Sequence, residues 1–140
     1  MIWLFFVSLT IITWGSYNLL LKIAGTYISQ SWALFFIGLV QVIVGALFIL
    51  YQRTTDQVLL TTKGAFIAGG AGLLFALGTL FFLYAFKFNA PASIAIATYT
   101  VGALLIGVLG GLLFFNEALS VRMVVGITFA IASIVLLTLK

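Results

Sequence analysis

The 140-residue chain has no cysteine and no histidine, one proline, and only two carboxylates, Asp56 and Glu117. Without cysteine there are no disulfides and no thiolate chemistry. Without histidine the usual zinc sites and haem ligation by His are gone as well. Two carboxylates leave a hydrolytic or metal-dependent site almost nothing to work with. The expectation is therefore a chain that is not an enzyme, with no catalytic residues, no metal and no cofactor. Charge is equally scarce. Six basic and two acidic side chains make up 6% of the residues, where a soluble domain carries roughly a quarter. The net charge of +4 comes from scattered Lys and Arg, so nucleic-acid binding has no footprint.

What is abundant is apolar surface. Hydrophobic residues are 65% of the chain and the mean hydropathy is +1.39. Such a chain cannot cover a water-facing surface, so the sequence reads as an integral membrane protein. A helical span needs about 20 mostly apolar residues. Five runs qualify, at 2–24, 32–51, 64–86, 92–115 and 121–139. The first lacks a positive leading region and a good cleavage site, so it reads as a retained span and not a signal peptide. Between the runs lie GTYISQS (25–31), QRTTDQVLLTTK (52–63), KFNAP (87–91) and NEALS (116–120). Asn89 is the expected N-cap of the fourth helix, with Pro91 in its first turn, and Ser120 that of the fifth. A β-barrel would show alternating segments of about ten residues. The expected fold is all-α, a single bundle of five transmembrane helices.

Short turns make consecutive helices antiparallel neighbours. Small residues recur every four positions: Gly64, Ala68, Gly72 and Ala76 in the third run, Ala103, Gly107 and Gly111 in the fourth. Gly126 and Ala130 do so in the fifth. Such stripes let helices approach closely, within one chain or between chains. Five spans set Arg53, Lys63 and Arg122 on one side and Lys22, Lys87 and Lys140 on the other. Orientation follows the Lys/Arg imbalance, and here there is none. The chain is expected to insert both ways and to pair as an antiparallel dimer. The alternative is one orientation set by a weaker cue.

The stretch TWGSYNLLLK (13–22) interrupts the first apolar run with polar groups. Thr10, Trp14, Asn18 and Lys22 are each four apart, so they share a helix face, with Thr13 and Tyr17 beside them. A polar stripe in a membrane helix faces other helices or a wet cavity. Lys22 alone reads more simply as a side chain reaching the interface. Gln41, between Gly38 and Gly45, is either an interhelical clasp or a cavity wall. Thr98, Tyr99 and Thr100 form a hydroxyl cluster beside Gly102. Tyr51 and Tyr84 read as interfacial anchors. Glu117 is expected to cap the start of the fifth helix or to pair with Arg122.

WGSYNLLLKIAG (14–25) resembles the first helix of the EamA-like domains of the drug/metabolite transporter superfamily. The segment from Tyr84 to Lys140 follows the same family's order: a short turn with Ala, a Gly-rich fourth helix, an acidic residue at Glu117, and Gly126 in a closing helix. The resemblance covers essentially the whole chain, at the size of a five-span, half-size member. The fourth helix departs from it, carrying TYTVGA (98–103) where relatives often have a proline. The first helix has no acidic residue of the kind that the related four-span multidrug transporters use for proton coupling.

The resemblance implies a transporter of small organic metabolites in a prokaryotic plasma (inner) membrane. Five helices barely enclose a cavity, so the working unit would be a homodimer with alternating access. Trp14, Asn18, Gln41, Thr98 and Tyr99 would line the substrate site. Gly102 and Gly107 would allow bending, Gly72 and Gly111 close packing, and Glu117, Arg122 and Lys22 would be structural charges. A reading from another class is a non-transporting interaction subunit of a larger membrane complex.

Overall fold

The computed structural model describes residues 2–54 and 60–139; Asp56 and Lys140 lie outside them. Five α-helices follow in order: α1 Ile2–Tyr27, α2 Gln30–Arg53, α3 Thr62–Lys87, α4 Ala92–Phe114 and α5 Val121–Thr138. No strand occurs among the described residues. Every helix is long and apolar enough to cross a membrane. At about 1.5 Å of rise per residue, even the 18 residues of α5 approach the thickness of a hydrocarbon core. The chain is an all-α, multi-pass membrane protein.

Helix ends follow local chemistry. α1 runs three residues past its expected end: the segment holds no proline, so Gly25 stays helical, and Thr26 bonds its hydroxyl to the Ile23 carbonyl at 2.7 Å. Only Ile28 and Ser29 separate it from α2. Thr61 caps α3 by accepting from the Gly64 amide at 3.2 Å. Ser120 caps α5 as expected, accepting from Met123 N–H at 3.2 Å. Asn89 differs from expectation. Its φ is 63°, so it closes α3 in the left-handed region, which Asn tolerates well. Its amide donates back to the Phe86 carbonyl. Pro91 then takes the N-cap position of α4 without a side-chain cap. Asn116 repeats the device after α4, with φ 53°.

The chain divides into two compact units, Met1–Asn89 and Ala90–Lys140. In the first, α2 runs antiparallel to α1 and α3 and touches both. α1 and α3 are parallel neighbours. Trp14 lies by Phe75, Tyr17 by Thr79, and Lys22 by Phe86, so the register advances together along both helices. The buried residues Asn18, Leu21, Ala33, Thr79, Leu83 and Phe86 gather where α1 ends, α2 begins and α3 ends. The core of this unit therefore sits toward the α1–α2 turn.

The second unit is the α4–α5 hairpin. Gly111, its buried residue, accepts at its carbonyl from both Phe115 and Glu117 N–H, at 3.2 and 3.1 Å. A Cβ at Gly111 would lie 2.6 Å from Glu117 Oε2. Glu117 thus folds back on the end of α4, and it is Ser120 that caps α5. The crowding atom is the tip of a flexible, exposed side chain. Replacing Gly111 by Ala is expected to displace the carboxylate and leave the turn intact. The gain in helix propensity, about 1 kcal/mol, offsets the lost contact, so thermal unfolding of Gly111→Ala should stay within a few degrees of the parent. A collapse in stability would show that the Glu117 carboxylate is essential to the turn.

Candidate functional site

Between α1 and α2 lies a cavity of about 420 Å³. Tyr17, Leu21 and Ala24 line it from α1, and Ala33, Phe36 and Gln41 from α2. The cavity starts beside the α1–α2 turn, at Ile28 and Ala33, and reaches the middle of α2 at Gln41. Its turn end is wholly apolar. Its polar groups, the Tyr17 phenol and the Gln41 amide, are at the mid-span end. Among the described residues no charged side chain lines it.

Tyr17 joins this cavity to α3. Its hydroxyl is 3.2 Å from Thr79 Oγ1, where either oxygen can donate, and its ring lies 6.5 Å from that of Phe75. The bond links two spanning helices and satisfies a buried threonine. Gln41 is different. It sits mid-span and exposed, and among the described residues no hydrogen-bonding group meets its amide. An amide in hydrocarbon without a partner costs several kcal/mol on an alkane scale. Gln41 is therefore a cavity wall with unused bonding capacity and not a clasp within this unit.

The polar stripe of α1 divides by role. Thr10 and Thr13 return their hydroxyls to Phe6 and Leu9 carbonyls, both at 2.9 Å. Such local bonds let hydroxyls sit in a membrane helix without any cavity. Trp14 packs its ring 6.1 Å from Phe75, within the range of aromatic pairs, and remains 53% exposed. Asn18 is buried, and its Nδ2 donates to the Trp14 carbonyl at 2.8 Å. Lys22 places Nζ 5.7 Å from the centre of the Phe86 ring, a cation–π contact near the helix end.

Of the expected substrate residues, Gln41 lines the cavity, while Trp14 and Asn18 lie on the same helix as the lining residue Tyr17. Thr98 and Tyr99 belong to the α4–α5 unit, Thr98 exposed and Tyr99 half-buried. Beside them, Thr100 bonds the Ile96 carbonyl at 2.7 Å. Arg122 is exposed in the first turn of α5. A Cβ built at Gly72, Gly102 or Gly107 meets nothing within 4 Å among the described residues, whereas Gly111 is closely approached.

Sequence reading missed Thr79 and Phe75. The usable signal was Thr79 itself, the one threonine or serine between Gly64 and Phe86 in the apolar run of α3. Comparison with family models, curated proteins and solved structures finds no match to this chain.

Proposed function

We propose that the chain is a transporter of small organic molecules, working by alternating access as an antiparallel homodimer in a prokaryotic plasma membrane. The observation that carries this reading is the cavity between α1 and α2, whose mid-span end holds Tyr17 and the Gln41 amide, the latter without a partner among the described residues. Pockets for small ligands are mostly apolar and hold a few oriented polar groups. The even division of Lys and Arg between the two faces supports dual insertion. An antiparallel pair then has the inverted symmetry used by many transporters. The resemblance of 14–25 and 84–140 to EamA-like domains points the same way.

The test is orientation followed by flux. The chain has no native cysteine, so single cysteines at Ser29 and Gln57 report sidedness directly. In intact cells, an impermeant thiol reagent should label each site in about half of the molecules, the fraction expected when no charge bias orients insertion. Proteoliposomes of the purified chain should then move solute. One-sided labelling would remove the antiparallel homodimer.

The open space above Gly72, Gly102 and Gly107 favours a second reading, in which these faces dock another membrane protein. A purified chain that moves and binds no solute, and that co-purifies with a membrane complex, would support that reading.

A further inference from the structure

The walls of the α1–α2 cavity restrict the chemistry of what it can hold. It is mostly hydrocarbon, from Leu21, Ala24, Ala33 and Phe36. Among the described residues the lining offers no ion to pair with a charged ligand. An ionised group held there would keep its full desolvation cost, several kcal/mol even after relaxation. Lys22, the nearest charge along α1, is engaged with Phe86 of α3 and is not part of the lining. Two hydrogen-bonding side chains stand together at the mid-span end. Tyr17 is held in place by Thr79, while among the described residues nothing uses the donor and acceptor capacity of Gln41.

Leu20 and Val40 belong to the same lining and are exposed, so the groove is open along α1 and α2 and not enclosed. From Tyr17 to Ile28 the groove follows about 16 Å of helix rise, enough for an extended hydrocarbon body below one polar group.

From this we infer that the cavity binds an uncharged amphiphile. Its apolar body lies along α1 and α2 toward their turn, and one hydrogen-bonding group is read by Gln41 beside Tyr17. Hydrophobic cations and carboxylates are excluded by the absence of a counter-charge. The inference deepens the transport reading and rests on it only for the step from ligand to cargo.

The experiment uses the full chain in lipid nanodiscs and an octanol carrying a diazirine as photoprobe. Labelling should be saturable and map to α1 and α2 between Tyr17 and Gln41. Octanol should compete, whereas octanoate and octylammonium of equal length should not. Gln41→Leu should weaken labelling about tenfold, the weight of one neutral hydrogen bond. Ala24→Phe should block it by filling the groove. If Ala24→Phe does not fold, Gln41→Leu still decides, because leucine at an exposed mid-span position suits hydrocarbon.

Non-saturable labelling spread over all five helices would overturn the inference. So would equal competition by octanoate, or labelling indifferent to Gln41→Leu and displaced by excess phospholipid, which would make the occupant a lipid chain. The readout needs no gradient. Saturable binding without flux in proteoliposomes keeps the site and removes the transport reading. Flux of a charged solute without octanol binding does the reverse.

Discussion

Replacing Tyr17 by Ala is expected to destabilise the first unit by about 2–4 kcal/mol. The ring touches the α1–α2 cavity on one side and Phe75 on the other, and its hydroxyl meets Thr79. Most of the loss should come from packing and little from the hydrogen bond. Thr79 is buried, but a threonine in a helix has a local alternative. Thr10, Thr13, Thr100 and Thr128 all bond the carbonyl four residues back. Deprived of the phenol, Thr79 can turn to its own helix in the same way. Tyr17→Phe should therefore cost less than about 1 kcal/mol, as interhelical hydrogen bonds in membranes commonly do. Reversible unfolding in mixed detergent micelles would measure both. Equal losses for Phe and Ala would mean that the hydroxyl, not the ring, joins α1 to α3.

Leu83→Ala should be the most damaging truncation of an aliphatic side chain. Leu83 is 1% exposed and is the largest fully buried side chain among the described residues. Its Cδ2 lies 3.9 Å from where a Cβ would stand on Gly25, so it faces α1 there at ordinary packing distance. In water such a change costs about 2–5 kcal/mol, by lost transfer energy and by the cavity left behind. Here the separated helices remain in lipid, so the transfer part largely vanishes and the lost dispersion contacts remain. About 1–3 kcal/mol is expected on that basis. Leu74→Ala is the control. It has the same chemistry on the same helix at 72% exposure, and surface changes of this kind stay within about 0.5 kcal/mol. The same unfolding assay applied to both should separate them. Similar values would show that the α1–α3 contact adds nothing to stability.

The particular residues show what could be read from the chain alone. Five spans, their order and most of their limits follow from hydropathy and punctuation, because hydrocarbon permits only fully bonded backbone and tolerates few charges. Ser120 was legible as a cap because its chemistry is local. Asn89 was not. The same side chain can start one helix or end the one before, and the choice depends on a backbone angle, here a φ of 63°. The polar stripe of α1 was legible as a stripe, since residues four apart must share a face. Its division into a buried Asn18, a Trp14 against Phe75 and a Lys22 over Phe86 was not.

The sequence by itself determined the solvent, the secondary structure and which side chains are available. Composition decides those, and no folding can add a histidine or a charge. Only the tertiary structure decided which faces meet. Lipid is as apolar as a packed helix interface, so hydropathy cannot distinguish a leucine facing the bilayer, such as Leu74, from one buried against Gly25, such as Leu83. For the same reason the partnership of Tyr17 with Thr79, and of Tyr17 with Gln41 around one cavity, is a property of helix packing and not of spacing along the chain.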